Sequence, residues 1–181
     1  MLLLREFLTR IEVKVLKVVL SSMILLAQLS CSKGAGEASS KETKEEKKRG
    51  MSINLGFAYL DLPHGHRVGI VDVPAHEKFI KNMLSGVCGM DIIILVVAAD
   101  EGIMAQTKEH LDILNLIGIK NGIIALTKCD LVDKDWIELV KLDISDEVKG
   151  TFLEDARIIE ISSTEKTGID ILKNEIIRIV D

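Results

Sequence analysis

The chain has 181 residues, a formal net charge of −5 and a pI near 5.5, which is long enough for one domain with a sizeable core and short for two. That acidity argues against a surface that wraps nucleic acid through general basicity, so no DNA partner is expected, and an aromatic content of 3% leaves little for base-stacking platforms. Cys31, Cys88 and Cys129 are odd in number and far apart, with no Cys-x-x-Cys, a pattern that frames neither a disulfide scaffold nor a zinc site and fits reduced thiols.

Residues 1–32 differ from the rest. Arg5, Arg10, Lys14 and Lys17 precede an uncharged apolar run at 18–29, which ends in small residues before Cys31. A basic flank, a short apolar core and small residues are the ingredients of a secretory signal, and the run is short for a membrane span. Ile11, Val13 and Val15 also alternate with Glu12 and Lys14, as in a strand. The leader reads as an export signal, which would make the chain a membrane-anchored or exported protein, as a surrogate strand, or as unselected sequence that replaces the original N-terminal element. Residues 33–49, ending Glu45-Glu46-Lys47-Lys48-Arg49, have the composition of a charged linker.

From residue 50 to 181 the texture is that of one folded domain. Residues 53–60 and 67–72 flank the turn Leu62-Pro63-His64-Gly65 and predict an antiparallel hairpin. Phe79, Ile80, Met83 and Leu84 give 76–87 helical spacing, and Ile92-Ile93-Ile94-Leu95-Val96-Val97 reads as a strand buried on both faces. A helix over 107–117 would place Leu111, Leu114 and Ile117 on one face. A strand at 122–126, a helix at 133–148 carrying Trp136, and a strand at 158–161 follow. A final helix over 168–180 has Ile169, Leu172, Ile176 and Ile179 on one side. Strands alternating with helices predict an α/β fold, a mostly parallel sheet with helices on both faces.

Loops with unusual chemistry follow three of the strands. They are Asp72-Val73-Pro74-Ala75-His76, Thr127-Lys128-Cys129-Asp130 and Ser162-Ser163-Thr164, all at the strand ends where open α/β sheets bind ligands. Singly they are ordinary strand-end caps and turns; in this order and spacing they resemble the guanine-nucleotide loops of the translational GTPases. The stretches Lys48-Arg49-Gly50-Met51-Ser52-Ile53-Asn54-Leu55-Gly56, His76-Glu77-Lys78-Phe79-Ile80-Lys81-Asn82-Met83-Leu84, Val96-Val97-Ala98-Ala99-Asp100-Glu101-Gly102 and Leu126-Thr127-Lys128-Cys129-Asp130 narrow the resemblance. Together they look like the GTP-binding domain of the selenocysteine-specific elongation factors, relatives of elongation factor Tu. Thr127 adds to this, because most GTPases carry Asn there while this family often has Thr.

The resemblance implies GTP or GDP with Mg²⁺ as cofactors, the ribosome and selenocysteinyl-tRNA as partners, and a cytoplasmic location. It implies that Asp130 accepts hydrogen bonds from guanine's N–H and amino groups, that the stem of Lys128 lies along the base, and that Ser162 and Ser163 hold the base edge through backbone groups. Thr127 belongs to the same guanine loop. Asp72 and Ser52 would serve Mg²⁺, Ala75 stands at the phosphate-facing switch position, and His76 would orient the attacking water.

Two departures bear on activity. Ala75 replaces the glycine of the family's Asp-x-Pro-Gly-His, and a Cβ there restricts positive φ and close approach to phosphate, so slowed switching and hydrolysis are expected. No Gly-x-x-x-x-Gly-Lys-Ser/Thr precedes Ser52. That loop supplies about four charge-assisted bonds at roughly 1.5–3 kcal/mol each, on the order of 6–12 kcal/mol in all. At about 1.4 kcal/mol per decade its loss corresponds to roughly four or more orders of magnitude in affinity. The expectation is a truncated GTPase domain with impaired nucleotide binding, its first strand, phosphate loop and first helix absent or replaced. The alternatives are a nucleotide-independent interaction module and an exported or lipid-anchored remnant.

Overall fold

β1 (Gly56–Asp61) and β2 (Arg67–Asp72) form the expected antiparallel hairpin, with Gly56 opposite Asp72 and Asp61 opposite Arg67. Near the turn, Arg67 donates to both Asp61 oxygens, at 2.5 and 3.2 Å, while its guanidinium lies 4.3 Å from the Tyr59 ring centroid. The structure is a computed structural model and describes residues 56–63, 67–72 and 90–180. The helix expected at 76–87, the leader and the charged linker lie outside the described residues.

β3 (Ile92–Ala98), β4 (Asn121–Thr127) and β5 (Ile158–Glu160) make a parallel sheet in that order, in register from Ile92 opposite Asn121 and from Ile124 opposite Ile158. Parallel neighbours need crossovers, which α1 (Ala105–Ile117) and α2 (Lys134–Glu147) provide, and α3 (Ile169–Val180) follows β5. The period-two alternation of the strands sorts the core into layers. Ile92, Ile94, Ile123, Ala125 and Ile159 face Ile169, Leu172, Ile176 and Val180 of α3. Leu95, Val97, Ile124 and Leu126 face Leu111 of α1 and Ile137, Val140 and Ile144 of α2. Helices thus cover both faces, which is why the strands read as unbroken apolar runs; each fully buried Ile or Leu contributes about 1.5–3 kcal/mol.

β2 joins the same layers from the side. Val68 and Ile70 belong to the α3-side core, whereas Val71 packs with Ile93 and Leu114 on the other side. Among the described residues, however, the hairpin and the parallel sheet are separate, and β2 and β3 share no ladder.

One face assignment needs correction. Leu111 and Leu114 are buried as expected, but Ile117 is 39% exposed. It is the last residue of α1, and Gly118, left-handed at φ 81°, turns the chain away so that Ile119 takes the buried position. His110 occupies the buried side of α1, and burial pushes its imidazole below its ordinary value, opposed by the nearby Glu109 carboxylate.

Candidate functional site

β4 delivers its final residue, Thr127, into a buried position where the hydroxyl donates to Val97 O at 3.3 Å and the Thr127 carbonyl accepts from Ala99 N at 2.8 Å. A threonine suits this place: its β-branch continues the strand while its hydroxyl crosses to β3. Lys128 then turns left-handed (φ 58°, ψ 30°) and begins a 3₁₀ turn, Cys129–Leu131, closed by Leu131 N donating to Lys128 O at 3.1 Å. The turn leaves Asp130 exposed at the strand end. Cys129 is half-buried; its thiol donates to Leu126 O at 3.1 Å, and burial raises its pKa, which favours the protonated thiol.

The loop after β5 is drawn against this turn. Ile161 N donates to Leu126 O at 2.8 Å, and Cys129 N donates to Ile161 O at 3.3 Å. Ser162 is buried and bridges Thr167 through paired backbone bonds of 3.2 and 3.1 Å, and its hydroxyl accepts from Glu165 N at 3.0 Å. Ser163 follows, half-buried, at the loop's start. The loop closes on Gly168 at φ 77°, where a Cβ would stand 1.9 Å from Glu160 O, so only glycine fits.

Thr127, Lys128, Asp130, Ser162 and Ser163 are therefore gathered at one end of the sheet, with a carboxylate and a lysine on one loop and a serine-bearing backbone turn on the other. Such a set can read a planar heterocycle: a carboxylate accepts from paired ring N–H groups, an alkyl stem covers a face and a backbone N–H meets a carbonyl. Asp72 lies elsewhere, buried at the C-terminal end of β2 in the separate hairpin. Ser52, Ala75 and His76 lie outside the described residues. Among the described residues no group of three or more His, Cys, Asp or Glu side chains could hold a metal ion.

Three participants escape the sequence reading, which assigns them no role. Lys128 Nζ donates to Asp100 Oδ2 at 2.9 Å and Glu101 Oε1 at 3.1 Å, and those bonds raise its pKa. Trp136 Nε1 donates to Ala99 O at 2.8 Å, while its own backbone N–H donates to Asp133, the N-cap of α2, at 2.8 Å. The available signal is positional and gives no partner: Asp100 and Glu101 lie in the turn after the apolar β3, and parallel strands bring their C-terminal ends together.

Comparison with known proteins agrees with this geometry. Residues 19–181 match the elongation factor Tu GTP binding domain. The chain is 54% identical over 132 residues to the selenocysteine-specific elongation factor of Desulfomicrobium baculatum, covering 73% of this chain and 21% of that one. It is 44% identical over 135 residues to the Escherichia coli K12 factor of the same name, covering 75% and 22%. The crystal structure of a bacterial selenocysteine-specific elongation factor, EF-Sec, superposes with a TM-score of 0.77 at 36% identity, covering 92% of this chain and 29% of that chain. Translation elongation factor SelB from Methanococcus maripaludis, in complex with the GTP analogue GppNHp, superposes with a TM-score of 0.75 at 26% identity. This chain spans about a fifth of the length of the curated relatives it matches, 21% and 22% for these two factors. The chain belongs to the elongation factor Tu family of GTP-binding domains and is a G domain like those of the selenocysteine-specific elongation factors.

Proposed function

We propose that this domain recognises guanine nucleotides through the loops after β4 and β5, as the nucleotide-binding part of a cytoplasmic factor that delivers selenocysteinyl-tRNA to the ribosome in a GTP-dependent manner. The observation that carries the proposal is the pairing of the Thr127–Asp130 turn with the Ser162-Ser163 loop through Cys129 N and Ile161 O, 3.3 Å apart. Asp130 supplies the paired acceptor that guanine's N–H and amino groups need and adenine cannot match, and Lys128 covers the ring. Ser162 commits its own backbone groups to Thr167, so it shapes the loop while Ser163 offers backbone to the base edge.

The phosphate end is proposed to be weak. GTP would supply the transferable γ-phosphoryl group, leaving GDP as product, and Mg²⁺ would neutralise its charge. The residues available for that end are Asp72, which is buried at the end of β2, together with Ser52, Ala75 and His76. The 181 residues hold no Gly-x-x-x-x-Gly-Lys-Ser/Thr, and Ala75 stands where the family has glycine. The described donors supply what the base needs, and of the residues assigned to the phosphates only Asp72 is among those described, so no hydrolytic step is assigned. Residues 50–181 form the G-domain unit in this proposal, preceded by the 33–49 linker and the 1–32 leader.

The experiment is a titration of the purified chain with guanosine, GDP, GTP and adenosine, with and without Mg²⁺. Guanine selectivity is expected, with GDP and guanosine binding within about threefold of each other because phosphate contributes little without its cradle. Equal binding of guanosine and adenosine by a folded chain would overturn the guanine assignment. GDP binding several orders tighter than guanosine would overturn the weak phosphate end.

A further inference from the structure

Lys128 has a flexible four-carbon stem and a left-handed backbone, neither of which fixes where its ammonium points. What fixes it is the turn after β3. Glu101 N and Gly102 N both donate to Ala98 O, at 3.1 and 2.8 Å, so Asp100 and Glu101 are presented from a closed turn. Ala99 N donates to Thr127 O at 2.8 Å, which locks the turn to the strand end carrying Lys128. From the far side, Trp136 Nε1 holds Ala99 O at 2.8 Å, and Asp133 fixes Trp136 at the start of α2. A chain of contacts thus runs from the N-terminus of α2, through the indole, to two carboxylates that converge on one ammonium.

We propose that Asp100 and Glu101 are positioning residues for guanine recognition, acting through Lys128. They anchor its ammonium beyond the base so that its alkyl stem lies extended over the site. The inference rests on the guanine-binding reading and deepens it. With the head group anchored, the stem surrenders its rotamer freedom before the base arrives, and the base does not have to order it. Two acceptors on one ammonium hold a direction, where a single exposed pair would let the head swing. The anchors are partly exposed, so their effect on affinity is modest and sensitive to salt.

The test removes the charges without changing the shapes, using the double variant Asp100→Asn/Glu101→Gln. Guanosine affinity is expected to fall about three- to tenfold, in line with two exposed ion pairs, with the preference for guanosine over adenosine, which rests on Asp130, and the melting temperature unchanged. The charge-conserving swap Asp100→Glu/Glu101→Asp should recover most of the loss. Repeating the double change in a Lys128→Met background separates positioning from any other role, because carboxylates that act through Lys128 have nothing left to position and should then have no effect. Raising the salt to about 1 M should weaken guanosine binding by the parent and leave the double variant unmoved. Unchanged guanosine affinity in the double variant, or an equal loss in the Lys128→Met background, would overturn the positioning role while leaving guanine binding intact. Absence of any guanine preference in the parent would overturn both readings together.

Discussion

The two loops of the site lie side by side and are built in opposite ways. The turn after β4 leans on partners far away in sequence: Val97, Ala99, Asp100 and Glu101 from β3 and its turn, and Ile161 just after β5. The loop after β5 closes on itself, through the Ser162–Thr167 bridge, the Ser162 hydroxyl on Glu165 N and the left-handed Gly168. The first presents side chains, whose direction must be imposed by neighbours. The second presents backbone, whose direction is set by its own dihedral angles. Recognition by side chain should therefore fail by chemistry, and recognition by backbone by geometry.

The largest expected effect tests the first half of that contrast. Asp130→Asn keeps size and replaces part of the paired acceptor with donors. Two charge-assisted bonds at roughly 1.5–3 kcal/mol each would be lost, about 100-fold or more in guanosine affinity. Because Asp130 is exposed on its 3₁₀ turn, the melting temperature should stay within about 1 °C of the parent, as for most surface substitutions. Calorimetric titration alongside thermal melting checks both. A matched loss of stability would mean that Asp130 is a structural cap and not a ligand.

Gly168→Ala is the corresponding break in the other loop. Its Cβ would meet Glu160 O at 1.9 Å and the residue would be held at φ 77°, so either the backbone of β5 moves or the loop reopens. A cost of about 2–4 kcal/mol is expected from the clash and the forced dihedral together. Chemical denaturation should show it as a lower midpoint. Guanosine affinity should fall as well, although no atom that touches the base has been altered.

This division explains what the sequence made legible. The hairpin, the buried strands and most of the helix faces follow from periodicity, because burial on both faces leaves β3 and the interior of β4 no polar positions. The loop residues Thr127, Lys128, Asp130, Ser162 and Ser163 were readable through their resemblance to the guanine loops of the translational GTPases, in segments that end or follow β4 and β5. The anchors Asp100, Glu101 and Trp136 were not. They act across 28, 27 and 37 positions of chain, and only the parallel register brings them to their partners. Ile117 was misplaced because periodicity does not announce where a helix stops; Gly118 does so through a dihedral angle.

The smallest expected effect uses pH to sharpen the contrast between the two sides of the sheet. Glu175 on α3 is buried and accepts from Arg178, whose Nη2 bond is 2.6 Å, and from Arg157, 3.5 Å away just before β5. Those guanidiniums, Arg178 foremost, hold its carboxyl below the ordinary value of 4.5 against the opposing effect of burial. The unfolded chain then takes up the proton more readily, so this stabilisation is complete above pH 4.5 and is lost as pH falls through the lower folded value. His110, on the opposite face, is held by burial below its ordinary 6.5, so its contribution is complete above that pH and fades first as acid is added. Melting temperature followed from about pH 8 to pH 3 should therefore decline in two stages. His110→Leu should remove the upper stage, on the side of α1. Glu175→Gln should flatten the lower one, at a cost near neutrality of about 1–2 kcal/mol from the weakened charge-assisted bonds. A single stage unaffected by either change would mean that neither buried group governs the acid limb. Loss of guanosine binding within the upper stage would place the sensitive support of the site on the α1 side; loss only in the lower stage would place it on α3 and the self-closed loop.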